Sequence, residues 1–353
     1  MKLKNREIKN TTFRRRWNKF KNLKRGYYSF LLLAALYFFS FLLPVFIGRD
    51  ALLVMYNGQY YVPLFKNYPA ETFGQKLFGE ANYRLLKIKF SGEGGNNFVL
   101  MPLYPYGPNE NLLDETPGTP PHPPSASHWL GTDDRARDVL ARLAYGFNIS
   151  ISFSLVIAML SFLIGTAAGA VLGYFGGKTD AFGQRVIEIW STLPLLFIIM
   201  ILSSVLRPNF FILCVIMTLF SWTGITYYVR GEVYREKGKD YALAAFSSGA
   251  KGSSIIFRHI IPNSLTPVIS FAPFAVVANI MSLVSLDFLG FGLPPPTPSW
   301  GEMINQGMGN LHYWWLSVFP LAAQFLTLLM VVFIGEAVRD ALDPREYNRT
   351  VRK

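Results

Sequence analysis

The chain has 353 residues, of which 51% are hydrophobic and only 16% are charged. Soluble domains carry roughly 25% charged residues, so the composition excludes an ordinary soluble protein and indicates an integral membrane protein. The net charge of +12 does not indicate a nucleic-acid partner, because the basic residues are clustered: 11 of the 34 Lys and Arg residues lie in Met1–Gly26. By the positive-inside rule, such a tail faces the cytoplasm and the membrane lipid beside it.

Six apolar segments approach the ~20 residues needed to cross a bilayer. They are Tyr27–Ile47, Ile149–Tyr174, Ile189–Leu206, Phe210–Val229, Pro267–Leu289 and Tyr313–Gly335. The sequence therefore predicts an all-α integral membrane protein with six transmembrane helices. The predicted regions are a basic cytoplasmic tail (1–26), a first transmembrane helix (27–47), a periplasmic insert ending in an interfacial helix (48–148), a five-helix core (149–336) with a cytoplasmic loop (230–266), and a C-terminal cytoplasmic tail (337–353).

The insert begins with two strand-like stretches, Leu52–Tyr56 and Gln59–Val62, separated by Asn57-Gly58. This dipeptide between apolar runs predicts a β-hairpin. A Pro- and Gly-rich linker follows. Thr132 is then predicted to cap a helix, because Asp133 and Asp134 would lie in its first turn and favour the helix dipole.

Glycines recur at four-residue intervals in the second apolar segment, at Gly165, Gly169 and Gly173. This spacing places small residues on one helix face and predicts close packing against another helix. The run Gly173–Thr179 resembles a phosphate-binding loop, but it has three residues between its glycines instead of four and follows an apolar helix instead of a strand. We therefore expect no nucleotide site, no bound cofactor and no enzymatic activity in this chain.

A polar stretch between two apolar segments, Asp240–Pro262, has the pattern of two short helices. Asp240 is predicted to cap the first helix, and Gly249 is predicted to end it in a left-handed conformation. Ser253 is predicted to cap the second helix, and Pro262 to end it.

This stretch resembles the cytoplasmic loop through which permeases of ABC importers dock on their ATPases, and it is called the coupling loop below. The resemblance assigns ATPase coupling to Ala244, Ala245, Gly249 and Pro262. Leu243 stands where the family often has an acidic residue.

Further motifs resemble the permeases of dipeptide and oligopeptide importers. They are Leu130–Leu140, with Ala136 in place of a glycine, Phe288–Gly292, Pro295–Gly301 and Gly335–Pro344. The insert looks closest to the inner-membrane permease branch of microcin C and oligopeptide importers. The resemblance implies a bacterial inner-membrane subunit that pairs with a second, homologous permease, two cytoplasmic ATPases that bind ATP and Mg, and an external peptide-binding protein.

Asp287 lies near the end of an otherwise apolar segment, where an isolated carboxylate is costly. Two interpretations stay open: Asp287 braces the following turn, or it faces the substrate path and attracts a peptide ammonium group.

The motifs do not define the substrate, so a nickel-chelate or other small-solute importer is an alternative. A proton-coupled secondary transporter would belong to another class, but it would be expected to have more ionisable residues within its spans. A membrane enzyme is disfavoured by the lack of a catalytic motif.

Overall fold

The computed structural model describes residues 13–93, 95–113, 115–116, 118–206 and 208–342. The first twelve residues of the predicted basic tail and the last two residues of the motif ending at Pro344 lie outside them. Residues 13–22 are helical. The helices that follow are α1 (Lys24–Ser40), α2 (Leu43–Phe46), α3 (Tyr83–Glu93), α4 (Val139–Phe175), α5 (Gly177–Ser191), α6 (Leu195–Val205), α7 (Phe210–Lys237), α8 (Asp240–Ser247), α9 (Gly252–Ser254), α10 (Ile261–Ile269), α11 (Ala272–Phe288), α12 (Trp300–Gly309) and α13 (Trp315–Leu342).

Three of these helices are long and apolar enough to cross a membrane by themselves, namely α4, α7 and α13. The pair α5 and α6 would form a fourth span, but it is bent by 64°. The predicted third span, Ile189–Leu206, is therefore not one straight helix: α5 ends at Ser191, and Pro194 precedes the first residue of α6. Proline explains the break because it disfavours a helical conformation in the residue before it.

The other two predicted spans overlap α1 and α11, each 17 residues long. The first of these spans also covers α2, and the other begins within α10. A helix of that length rises only about 26 Å at 1.5 Å per residue, which is close to the hydrocarbon thickness. The count of six transmembrane helices thus stays a prediction.

The predicted glycine face packs as expected. A Cβ atom on Gly165 would lie 2.6 Å from the Cβ of Ile225, and one on Gly173 would lie 2.8 Å from the carbonyl oxygen of Arg230. Both partner residues belong to α7, so the backbones of α4 and α7 come close together along Gly165, Gly169 and Gly173. This contact is called the glycine seam below. The run Gly173–Thr179, which resembles a phosphate-binding loop, spans the end of α4, Gly176 and the start of α5.

The insert contains a small sheet, so the prediction of an all-α chain is wrong for this region. Strands β1 (Leu53–Tyr56), β2 (Gln59–Tyr61) and β3 (Phe98–Leu100) are antiparallel in the order β2-β1-β3. The predicted hairpin is confirmed, with Asn57 and Gly58 both at positive φ. Helix α3 covers the sheet through buried aromatic and aliphatic side chains, and a short 3₁₀ turn (Ala70–Phe73) completes this core.

Candidate functional site

The coupling loop is built on an apolar cluster that reaches into the glycine seam. Ala242 of α8 packs with Ile255 and Ile260, and the same cluster contains Val229 and Val233 of α7. Two of these residues meet the seam directly, because a Cβ on Gly169 would lie 2.8 Å from Val229 and one on Gly173 would lie 2.9 Å from Val233. Packed side chains therefore connect the loop to the α4–α7 contact.

The opposite face of α8 has no cover in the described structure. Leu243 and Phe246 are 53% and 71% exposed, and Ala244 is also exposed while Ala245 is half-buried. An eight-residue helix with a small-residue centre and two exposed apolar side chains is suited to insertion into a groove on another protein.

Gly249 has the predicted left-handed conformation, with φ of +75°. The amide of Gly249 donates to the carbonyl of Phe246, and the next amide, of Ala250, donates to the carbonyl of Ala245. This five-residue return is typical of a helix that ends at a glycine. A Cβ on Gly249 would have no atom within 4 Å, so the requirement for glycine comes from the backbone and not from packing.

Three details of the predicted loop are wrong. Asp240 is the first residue of α8 and Lys239 is its N-cap, because the amide of Ala242 bonds to the carbonyl of Lys239. Ser253 lies inside α9, whose N-cap is Lys251.

Pro262 does not end the second helix. A π-helical segment, Ile255–Ile260, joins α9 to α10, which contains Pro262 in its first turn and continues to Ile269. The amide of Ile261 bonds to the carbonyl of Ile256, five residues back. This wider spacing accommodates a proline without the break that it would cause in a regular α-helix.

Hydrogen bonds between residues close in sequence fix the end of α7 to the start of α8. The Glu236 carboxylate accepts a hydrogen bond of 2.6 Å from Lys239 and one of 2.7 Å from the hydroxyl of Tyr241. Burial, together with the bond to Glu236, raises the pKa of Tyr241 to about 12, so its hydroxyl remains a donor at neutral pH.

Nearby, Arg230 of α7 donates two hydrogen bonds of 2.5 Å to Asp180 of α5. The sequence analysis did not find this pair, because fifty residues separate its members.

Asp287, at the end of α11, has both carboxylate oxygens engaged. One accepts the amide of Leu293 at 2.7 Å, and the other accepts the hydroxyl of Ser299 at 2.6 Å. Gly292 is so near that an added Cβ would overlap the carboxylate of Asp287. The geometry matches the bracing role, and Asp287 also borders a cavity of about 400 Å³ beside Glu302.

A buried ionic cluster next to this turn was not predicted. Asp133 receives a 2.6 Å hydrogen bond from Arg137, and Glu302 of α12 accepts from Arg137 at 3.0 Å and from Arg142 at 2.5 Å. Arg142 and Asp133 have no exposed surface. The cluster joins the start of α4 to α12, and a separation of about 160 residues gives no sequence signal for it.

The predicted helix start at Thr132 is wrong, because α4 begins at Val139. Its N-cap is Asp138, whose carboxylate accepts the amide of Ala141 at 2.9 Å. The other carboxylate oxygen accepts from Tyr104 at 2.6 Å and contacts His128 at 2.9 Å. Burial and the carboxylate of Asp138 raise the pKa of Tyr104 far above its usual value, so the hydroxyl stays protonated and donates to Asp138. This buried contact fixes the insert to the start of α4.

Comparisons with known proteins add an independent line of evidence. Residues 163–346 match the family described as binding-protein-dependent transport system inner membrane component. The chain is 42% identical over 332 residues to the Escherichia coli inner membrane ABC transporter permease protein YejE, covering 94% of this chain and 96% of the relative.

Two further relatives are similar. The Agrobacterium fabrum peptidoglycan transport system permease protein YejE is 41% identical over 359 residues, covering 95% of this chain and 93% of the relative. The Bacillus subtilis oligopeptide transport system permease protein OppC is 36% identical over 224 residues, covering 63% and 73%. These comparisons confirm the resemblance that the sequence motifs indicated.

Proposed function

Because the chain belongs to the family of binding-protein-dependent transport system inner membrane components, we propose that it is the permease subunit of an ATP-driven importer of peptides, including oligopeptides and microcin C-like peptides. In this proposal it crosses the membrane six times, with both termini and the coupling loop in the cytoplasm. It encloses the path with a second, homologous permease and binds no cofactor itself. Two partner ATPases bind ATP and Mg, and an external binding protein delivers the peptide.

The observation that carries the coupling part of the proposal is the construction of α8. Its exposed face presents Leu243 and Phe246, while its buried face packs through Ala242 on the cluster that contains Val229 and Val233. A displacement of α8 by an ATPase is therefore transmitted to α7 and, through the glycine seam, to α4. Closely packed interiors transmit such displacements because they leave little free volume.

The experiment is reconstitution of the chain with the partner permease, ATPases and binding protein in proteoliposomes. We expect uptake of a labelled oligopeptide that requires both ATP and the binding protein. Uptake that persists without the ATPases and disappears when a proton gradient is collapsed would instead assign the chain to secondary transport.

The substrate range is tested with the same vesicles. Nickel-chelate uptake without peptide uptake would replace the peptide proposal with the small-solute alternative. A muropeptide is the second peptide to test, because one similar relative is named as a peptidoglycan transport permease.

A further inference from the structure

A basic cavity of about 710 Å³ opens beside the coupling loop. It lies between helical residues 13–22, the end of α7, the start of α8 and the end of α13. Four cationic side chains line it, and Glu236 is among the other lining residues. The cationic side chains are Arg16, Arg235, Lys239 and Arg339.

The carboxylates nearby offset part of this charge. Glu236 is occupied by Lys239 at 2.6 Å, and Asp340 is 4.0 Å from Arg339, whose side chain is 61% exposed. Arg16 pairs with no carboxylate in the part of the chain that the structure describes. Arg235 is held by Glu232 at 2.5 Å. The positive charge available to a ligand is therefore that of Arg16 and that of Arg339, whose contact with Asp340 is long and exposed.

Apolar and aromatic groups form another wall of the same cavity. The rings of Tyr228 and Phe271 lie 4.2 Å apart, and Leu342 lines the cavity with them. Tyr228 and Phe271 lie inside the predicted spans Phe210–Val229 and Pro267–Leu289, near their coupling-loop ends, whereas Leu342 lies in the predicted cytoplasmic tail. A cationic rim above an aromatic wall at such a boundary suits a molecule with an anionic head and an apolar body.

We propose that the basic cavity binds the phosphate group of an anionic phospholipid from the cytoplasmic leaflet. The proposal rests on the cytoplasmic orientation in the proposed function. Arginine suits this ligand because its planar guanidinium group can donate two hydrogen bonds to a phosphate. The acyl chains would leave along Tyr228 and Phe271, on the membrane side of the cavity. Tyr241 of α8 lines the same cavity, so a bound lipid would touch the coupling loop.

The test is native mass spectrometry of the full-length chain, purified in detergent and supplied with phosphatidylglycerol or phosphatidylcholine. We expect preferential retention of phosphatidylglycerol. The double variant Arg16→Gln/Arg339→Gln should lose retention by about 10- to 30-fold, given the usual contribution of a basic residue near an anionic surface. The matched control is Arg14→Gln/Arg15→Gln, which removes two charges from exposed residues of the same helical stretch and should retain the lipid.

Equal retention by both double variants would overturn the proposal, as would equal retention of the two lipids by the unchanged chain. Addition of millimolar glycerol 3-phosphate separates the two phosphate sources. The lipid assignment is wrong if glycerol 3-phosphate binds the unchanged chain but not Arg16→Gln/Arg339→Gln, and if the unchanged chain retains phosphatidylglycerol no better than phosphatidylcholine. The readout does not involve transport, so a failure of peptide uptake leaves this result interpretable.

Discussion

Gly169 and Val229 are in such close contact that a Cβ atom on the glycine would lie 2.8 Å from the Cβ of the valine. The carbonyl oxygen of Thr226 would lie equally near. Since neither backbone can give way without moving a helix, the contact fixes the separation of α4 and α7. Val229 also belongs to the cluster beneath α8, so this contact joins the coupling loop to the membrane core.

The first prediction is that Gly169→Ala destabilises the chain by ~1–3 kcal/mol, the usual cost of overpacking. The matched control is Gly231→Ala on α7, where an added Cβ has no atom within 4 Å. It should leave stability unchanged or raise it by up to ~1 kcal/mol, because alanine favours a helix over glycine. Thermal unfolding of the purified chain in detergent measures both. Equal midpoints for the two variants would contradict the close contact.

The second prediction concerns coupling at Gly249. Gly249→Val should strain the loop by ~1–2 kcal/mol, because a left-handed conformation is costly for a residue with a Cβ. No neighbouring atom would clash, so we expect the chain to assemble normally and to lose substrate-stimulated ATP hydrolysis in the reconstituted complex.

The control for this variant is Gly238→Val, at a glycine that lies just before the coupling loop and has an ordinary φ of −81°. It should keep the stimulated hydrolysis. Normal stimulation in Gly249→Val, with normal assembly, would show that the conformation of Gly249 is not required for transmission.

Features that depend on neighbours in the sequence were predictable, as the hairpin at Asn57-Gly58 shows. The four-residue glycine spacing was sufficient to predict the close helix contact for the same reason, because a helix turns each of these residues to one face. The first residue of α4 was not predictable, because Thr132 and Asp138 are both good capping residues. Only the folded structure decides between them, since Asp138 is held by the insert through Tyr104.

Long-range polar contacts were beyond the sequence. The motifs identified the stretch around Asp133 without indicating that its charge is buried against Arg137 or that Glu302 completes the cluster. Buried charges must be paired because an isolated one is costly, but this rule does not identify the partner.

The third prediction concerns Ala136, which occupies the position of a glycine in the resembling motif. It is fully buried and has φ of +56°. Ala136→Gly should change stability by less than ~1 kcal/mol, because relief of the strained conformation offsets the loss of a buried methyl group. Ala136→Val should lose ~1–3 kcal/mol. Chemical unfolding of the two variants checks which of them is less stable, and equal stability would contradict a strained backbone at Ala136.

The fourth prediction tests orientation with single cysteines in a Cys214→Ser background. Phe78, in the insert, and Ser248, in the coupling loop, are both exposed. If the loop is cytoplasmic, an impermeant thiol reagent should label a cysteine at position 78 in cells with a permeable outer envelope, and one at position 248 only after the membrane is opened. Labelling of both in intact membranes would contradict the proposed topology.

The last prediction separates the two readings of Asp287. The amide of Leu293 and the hydroxyl of Ser299 both donate to its carboxylate. Asp287→Asn keeps one acceptor oxygen for the amide of Leu293 and replaces the other with an NH2 group. This group can donate to the Ser299 hydroxyl but cannot accept from it, so the charge-assisted bond should be lost at a cost of ~1–3 kcal/mol. If bracing is its role, uptake of peptides with a free amino terminus and of N-acetylated peptides should fall equally.

Ser299→Ala is the companion variant, because it removes the same hydrogen bond from the other side and keeps the carboxyl group of Asp287. Ser299 also caps α12 by accepting the amide of Glu302 at 3.2 Å, so its loss should cost a further ~1 kcal/mol. Under the bracing role, Ser299→Ala reproduces the equal loss of both peptide classes. A selective loss of free-amine peptides in Asp287→Asn, with both classes transported normally by Ser299→Ala, would instead place the Asp287 charge in the substrate path.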